Sequence, residues 1–425
     1  MKSRKCVLYG IFVLCFTKVF YIIFDGIVRG DEAFSVSRSM LERQYISNSR
    51  LNGSVPVYKR PERVADICRT LEVGAVNNQT PSVLSVYHFY DISNICSCHV
   101  PKAASSSIGR ALLISEYPEK AVIFRNLPRH QLHGLREVQN VTSNQCLKNA
   151  ETSFLVTRDP YRRLFSAYID KIYLEKFHKM SVVLDALYNK GVSRKKLKDM
   201  IENKDERLKT WYCSVTDVSF EQFLKYVTTS QSLDPHFAPV SLLCDPCSKH
   251  YDVILKQETL RDDMQHLFEK IYKKNYFAEE IPNIANYTGE TGIESQILTY
   301  YTHRRAWFSK HNCKIDRKTY NAINQRLWNG LKLLGSIDDN LEFIDELFRG
   351  PDGDKLRIRN PETVLYEFKL NKVPYLNSDS REKQRRKHLI LAYQNIDISM
   401  IWRIQRLFHL DFTLFGYDPL PATLY

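Results

Sequence analysis

Two short stretches of this chain pass from an apolar, strand-forming run through a basic corner directly into a helical pattern, and together they confine it to an α/β architecture. The first is residues 95–100, followed by Pro101 and a helical stretch over 107–115. The second is residues 153–157, followed by a helix whose apolar positions Tyr161, Leu164, Phe165, Tyr168 and Ile172 fall on one face. Further on, 219–227 reads as helix, 251–255 as strand and 260–272 as helix. Strands alternating with helices argue for a central parallel sheet with helices on both faces. Residues 293–350 are helix-rich, 351–390 are polar and full of turn formers and charge, and a helix near 396–408 leads into an aromatic tail over 411–417. With 425 residues, 44% hydrophobic and 26% charged, the composition is that of a folded protein, not a disordered one.

The amino terminus sets the compartment. Lys2, Arg4 and Lys5 precede a run over 6–24 that is apolar apart from Lys18 and a few small or hydroxyl residues. At about 1.5 Å per residue, a helix of that length spans roughly 28 Å, close to a hydrocarbon core. The flanking positive charge keeps residues 1–5 cytosolic and sends the rest into a lumen. A cleaved signal peptide is the competing reading. The run is long for one, and no small-x-small cleavage site follows it, so an uncleaved signal anchor is expected. Residues 25–90, mixed and polar, read as a luminal stem, and 91–425 as the folded domain, with a helical or loop insertion over 290–395.

A luminal body predicts glycosylation and oxidised thiols. Sequons stand at Asn52, Asn78, Asn140 and Asn286. Of ten cysteines, Cys6 and Cys15 fall in the anchor, which leaves eight (Cys68, Cys96, Cys98, Cys146, Cys213, Cys244, Cys247, Cys313), an even number suited to disulfides. Cys244 and Cys247 suggest zinc as an alternative, but no second pair at finger spacing accompanies them, so disulfides are expected and no metal. The net charge of +13 draws anionic partners and by itself does not choose among nucleic acid, acidic polysaccharide, phosphorylated nucleotide and membrane surface.

The corners carry the chemistry. Pro101, Lys102, Ala103, Ala104, Ser105, Ser106 and Ser107 place one lysine, small residues and hydroxyls between a strand and a helix. Backbone N–H groups and the positive end of the helix then face an anion, the logic of a P-loop without its G-x-x-x-x-G-K-[ST] spacing. An ordinary serine-rich helix cap is the alternative. In the second corner Arg158 stands where doubly wound sheets place their ligand crevice, and Ser166 lies eight residues on, about two helical turns, on the same side. A guanidinium fork and a hydroxyl suit a terminal phosphate. A structural salt bridge at a helix start is the alternative here.

Together the segments resemble the 5′-phosphosulfate loop and 3′-phosphate site of the Golgi carbohydrate sulfotransferases, nearest the chondroitin and dermatan 4-O- and HNK-1 sulfotransferase branch. That branch carries V-P-K and then R-D-P-x-x-R-L-x-S-A-Y, here Arg158 to Tyr168. It also carries H-W-x-P-x-x-x-L-C-x-P-C, here His236 to Cys247 with Phe237 for tryptophan. Tyr251-Asp252 through Lys256-Gln257-Glu258-Thr259-Leu260 and the ending Leu410-Asp411-Phe412 to Tyr417 are similar to two further family stretches. The resemblance implies a P-loop-like three-layer sulfotransferase fold behind one transmembrane helix, in a single-pass type II protein of the Golgi membrane. It implies transfer of a sulfuryl group from 3′-phosphoadenosine 5′-phosphosulfate (PAPS) to an anionic glycan or proteoglycan, with no nucleic acid partner. Lys102 would neutralise the leaving oxygen and the 5′-phosphate, Ser105, Ser106 and Ser107 would complete the cradle, and Arg158 and Ser166 would hold the 3′-phosphate.

The general base stays open between His133 and His236, with Glu258 a weaker third. The triplet Ser105-Ser106-Ser107 is closer to 2-O-sulfotransferase loops than to the 4-O branch, which leaves the acceptor open. The basic run Arg381, Lys383, Arg385, Arg386 and Lys387 reads as a solvated loop, with glycan contact as the alternative. Two rival functions stand beside the enzyme: another P-loop-type transferase or kinase, and a catalytically inactive, glycan-binding relative.

Overall fold

The sheet is organised around two neighbouring strands that are buried along their whole length. The computed structural model describes residues 55–71, 82–91, 93–127, 138–272, 290–348 and 358–420, with 132 and 135. Its strands are β1 (Ser82–Val83), β2 (Tyr87–Tyr90), β3 (Ile95–Cys98), β4 (Val138–Val141), β5 (Thr152–Thr157), β6 (Ser232–Leu233) and β7 (Val253–Lys256). All six residues of β5 are buried, which requires cover on both faces, and its centre is the apolar run Phe154-Leu155-Val156. The main sheet has the order β4-β2-β3-β5-β7. Strands β3, β5 and β7 are parallel neighbours, with Cys98 opposite Leu155 and Thr157 opposite Lys256.

Strand β2 runs against both β3 and β4, so the central sheet is mostly parallel, not wholly so. The reason is local. Residues 91–94 alone link β2 to β3, and so short a link permits only antiparallel pairing. The small pair β1 and β6 forms a separate parallel ladder.

The helices used below are α1 (Arg60–Thr70), α2 (Ser105–Glu116), α3 (Pro160–Ala167), α4 (Phe220–Thr229), α5 (Val240–Cys244), α6 (Leu260–Tyr272), α7 (Glu290–Lys310), α8 (Arg317–Leu333), α9 (Pro361–Leu370), α10 (Ser378–Gln394) and α11 (His409–Phe415). The tail 1–5, the anchor 6–24, much of the stem, and the sequons at Asn52, Asn78 and Asn286 lie outside the described residues. No helix among the described residues is long and apolar enough to cross a membrane. Asn140 is exposed on the edge strand β4.

The folded body begins before residue 91. Helix α1 lies in the stretch assigned to the stem, yet Arg60, Val64 and Cys68 on it are buried. Arg60 pairs with Asp263 of α6, and Cys68 is bridged to Cys247. A mostly polar helix hides this in sequence, because only the residues three or four apart on one face meet the core. The remaining bridges are Cys96–Cys146, Cys98–Cys244 and Cys213–Cys313. Cys244 and Cys247, close enough in sequence to suggest a metal pair, therefore bond to different partners.

Beyond 290 the chain is helical and joined to the core. Trp328 of α8 is fully buried, with Phe343, Phe348 and Phe368 around its ring. Residues 351–390, read as turn-rich, contain α9 and α10, each started by an asparagine that caps it: Asn360 accepts from Glu362 N and Asn377 from Ser380 N, both at 2.9 Å. Such caps explain how turn-forming residues stand directly before helices.

Removing Arg60 leaves the buried Asp263 carboxylate without its cation. Arg60→Ala is expected to cost about 3–5 kcal/mol in denaturant unfolding of the full chain. A loss under 1 kcal/mol would show that α1 is not part of the folded body.

Candidate active site

The C-terminal ends of β3, β5 and β7 lie side by side, and each leads into a corner. After β3 the corner runs through Pro101 and Lys102 to Ala104, and α2 starts at Ser105. Lys102 and Ala104 both take left-handed φ, 68° and 62°. That conformation costs an L-residue roughly 1–2 kcal/mol. Alternation of hand along such a loop turns successive N–H groups into one concave, anion-binding surface. The loop's carbonyls are already occupied. Arg163 Nε donates to Pro101 O at 3.0 Å and Arg158 Nη1 donates to Lys102 O at 2.9 Å. No side chain caps α2, and the amides of Ala104 and Ser105 donate to no described residue. Ser105, Ser106 and Ser107 form the first turn, so a serine N-cap does not describe this corner. Pro101 and Ala103 are buried and fix the loop against the core.

After β5 the corner is Arg158-Asp159. Asp159 caps α3, its carboxylate accepting from Arg162 N at 2.8 Å. Arg158 is 8% exposed, and its Nε is buried with no partner. Burial, and then the charge of Arg385, push its pKa down to about 10. A cleft opens on it, lined among others by Arg162, Ser166, Glu382, Arg385 and Arg386. Ser166 thus faces the same space as Arg158, as helical spacing predicts. An arginine donor lacking an acceptor, a hydroxyl and further guanidinium groups fit a phosphate.

After β7 the corner carries Glu258. It accepts from Asp159 N at 2.9 Å and from the Tyr417 hydroxyl at 3.1 Å. Both carboxylate oxygens are engaged, so Glu258 braces two corners and the aromatic tail and is not placed as a base. The Arg163 side chain, 1% exposed, also reaches Ala238 O, and Pro235 O at 2.8 Å, tying the lysine corner to the stretch around His236. Asp411 of α11 accepts from Val240 N at 2.7 Å and Ser241 N at 2.8 Å and so caps α5. Phe237 is fully buried against Phe177, Phe223 and Tyr226.

Sequence reasoning missed the acidic partner of Lys102. Its ammonium meets Asp170 Oδ2 at 2.8 Å, Lys176 reaches Oδ1 at 2.5 Å, and Lys171 stands 3.6 Å away. Asp170 is 7% exposed. Burial alone would raise its pKa, but the charges of Lys102, Lys176 and Lys171 hold the carboxyl well below the ordinary carboxylate range. Asp170 sits in a π-helical turn, Tyr168–Tyr173, that continues α3. Nothing in a lone aspartate beyond the S-A-Y run signals this role, because its partner Lys102 stands 68 residues earlier in the chain.

His236 forms the other pair. Its Nδ1 lies 2.6 Å from Asp234 Oδ1. Burial, and then the charge of Lys171, depress its imidazole to about 4, and Lys102 contributes in the same sense. The ring is therefore neutral at pH 7. Asp234 selects the tautomer with a proton on Nδ1, and Nε2, bonded to no described residue, remains an acceptor. His133, the other candidate base, lies outside the described residues.

The sequence profile of the Sulfotransferase family matches residues 88–327, more than half of the chain and both basic corners. This chain belongs to the sulfotransferase family. Carbohydrate sulfotransferase 11 of Mus musculus is 26% identical to this sulfotransferase over 273 residues, covering 60% of this chain and 73% of that protein. Carbohydrate sulfotransferase 9 of Homo sapiens is 27% identical over 224 residues, 50% of this chain and 47% of that protein. Carbohydrate sulfotransferase 12 of Xenopus laevis is 25% identical over 257 residues, 54% and 56% respectively. No solved structure matches this sulfotransferase significantly.

Asp170→Asn leaves three ammonium groups around a neutral amide. The variant is expected to be less stable than the parent by about 3–5 kcal/mol at pH 7. Because the folded pKa of Asp170 lies below its unfolded value, this contribution is present above pH about 3.9 and is lost as the pH falls further. Denaturant melts at pH 7 and pH 3 should show the gap narrowing. A gap independent of pH would contradict the charge argument.

Proposed function

We propose that this sulfotransferase transfers a sulfuryl group from PAPS to a hydroxyl of a glycan, of the chondroitin or dermatan type or on a glycoprotein. The observation that carries the reading is the junction of the two corners, where Arg158 holds the Lys102 carbonyl at 2.9 Å while its own Nε stays without an acceptor. One nucleotide carrying charge at both its 5′ and 3′ ends would meet both corners at once. The curated relatives support the glycan, since their names make them carbohydrate sulfotransferases. The unclaimed arginine donor and the uncapped helix fit the two phosphates.

When bound, the donor supplies an activated sulfur. In the transfer the acceptor oxygen bonds to sulfur, the bond from sulfur to the bridging phosphate oxygen breaks, and the hydroxyl proton leaves. Lys102 supplies positive charge where the bridging oxygen becomes negative, together with the amides and hydroxyls of Ser105, Ser106 and Ser107. Arg158 and Ser166 hold the 3′-phosphate and so fix the register of the nucleotide. His236 accepts the hydroxyl proton on Nε2, and Asp234 stabilises the imidazolium that results. Asp170 positions Lys102 before the donor arrives. In this reading residues 6–24 anchor the protein in the Golgi membrane with its body in the lumen, and Asn140 is an exposed glycosylation acceptor there.

Full-length protein should transfer label from radiolabelled PAPS to one member of a panel of desulfated glycosaminoglycans and glycoprotein glycans. Absence of transfer together with absence of adenosine 3′,5′-bisphosphate binding would remove the proposal. Lys102→Ala is expected to lower kcat by about 100-fold or more, and to lower the melting temperature less than Asp170→Asn does, because Lys176 and Lys171 still compensate the buried Asp170 carboxylate. His236→Ala should lower it about 10²–10⁴-fold. Since the His236 base must be neutral and its pKa is depressed to about 4, the parent's kcat should hold down to about pH 5 and fall below that. An acid limb near pH 6.5, unchanged in His236→Ala, would assign the base elsewhere.

A further inference from the structure

The Arg158 cleft has a second wall, and that wall lies outside the stretch matched by the family. Helix α10 begins 51 residues beyond position 327, where the match ends (378 − 327 = 51), and it lines the cleft with Glu382, Arg385 and Arg386. Four guanidinium groups (Arg158, Arg162, Arg385, Arg386) and one carboxylate then line one cleft, a formal charge of +4 − 1 = +3. Like charges crowd together in this way where an anion is bound between them, and the buried, unpartnered Nε of Arg158 marks the same space.

The arginines are held in place from behind. Gln384 donates to Lys332 O and Ile337 O, both at 2.8 Å, and Lys387 and His388 meet Asp339 at 2.9 and 2.7 Å. Gly335, at φ +64°, lets α10 approach closely: a Cβ there would meet Arg381 O at 2.7 Å and Arg385 Cγ at 3.0 Å. The stem of Arg385 is thereby packed, and the residue lines the cleft. The Arg386 side chain forms no hydrogen bond or ion pair with a described residue. Glu382 is the exception in sign. It pairs with Arg162 at 3.1 Å with side chains 59% and 31% exposed, a solvent-screened contact that is cheap to break.

Resting on the reading of this cleft as a phosphate site, we infer that α10 completes it as a clasp for a phosphomonoester dianion, with Arg385 and Arg386 as further ligands and Glu382 as a carboxylate that the phosphate displaces. A doubly charged terminal phosphate answers a +3 lining better than a singly charged sulfate ester. The nucleotide's 3′-phosphate is thus recognised jointly by the family segment and by a helix beyond it.

Calorimetric titration of the full-length protein with adenosine 3′,5′-bisphosphate, and separately with adenosine 5′-monophosphate, tests this. Arg385→Gln and Arg386→Gln are each expected to weaken the bisphosphate roughly 10–100-fold, as loss of a charged hydrogen bond does, and to leave the monophosphate within about twofold. Glu382→Gln should tighten the bisphosphate several-fold, roughly 2–5-fold, and leave the monophosphate alone. If Arg385→Gln lowers the melting temperature, Arg386→Gln, which loses no side-chain hydrogen bond or ion pair to a described residue, decides the matter. Equal losses for both nucleotides, unchanged bisphosphate affinity, or weaker binding by Glu382→Gln would overturn the clasp. A parent protein that binds neither nucleotide would instead overturn the donor reading on which it rests.

Discussion

Arg158 has its two ends in different places, and the site depends on that division. Parallel pairing of β3 with β5 sets their C-terminal ends side by side, so the guanidinium leaving one strand reaches the carbonyl of the lysine leaving the other at 2.9 Å. The same side chain keeps Nε buried and unclaimed beside the cleft. A shift of one residue in that register would turn every side chain of β5 to the opposite face and break the junction. Because β5 is buried on both faces, no such shift is tolerated, and core packing thereby fixes the distance between the two corners.

So many cations in one region need internal compensation when no anion is bound. Asp170 provides it on the lysine side, where one buried carboxylate meets Lys102, Lys176 and Lys171. Glu382 provides a weaker form on the arginine side, as an exposed partner of Arg162. The two differ in kind. A buried pair is strongly destabilised when one partner is lost, whereas a solvent-exposed pair contributes about 0–1 kcal/mol and yields readily. Lys102 is consequently held in position, while the arginine cleft can exchange its carboxylate for another anion.

The motifs most separated in sequence are braces for this arrangement. Asp411, near the end of the chain, caps the helix that follows Phe237, and Tyr417 reaches Glu258, which in turn holds Asp159 N. Disulfides Cys98–Cys244 and Cys68–Cys247 tie β3 and α1 to that same short helix and the turn after it. The resemblance in sequence between these stretches and a family pattern therefore has a physical reason. Each supplies a contact that keeps the three corners at one sheet edge.

Local chemistry was enough to read the strands that carry the corners, the helices after them, the common cleft of Arg158 and Ser166 and the oxidised cysteines. Those features follow from periodicity, from residues adjacent in the chain and from the even count of cysteines outside residues 6–24. The reversed strand β2, the early start of the body at α1 and the helices within 351–390 escaped that reading, because short links, half-buried polar helices and a charged helix leave little periodic signal. Which cysteine bonds which, that Asp170 meets three lysines, that Asp234 fixes His236, and that Arg385 and Arg386 face Arg158 were decided only in three dimensions. The disulfides, the Lys102–Asp170 pair and the Arg158 cleft join residues far apart in the chain, and their separation carries no measure of distance until the sheet and its covering helices have formed.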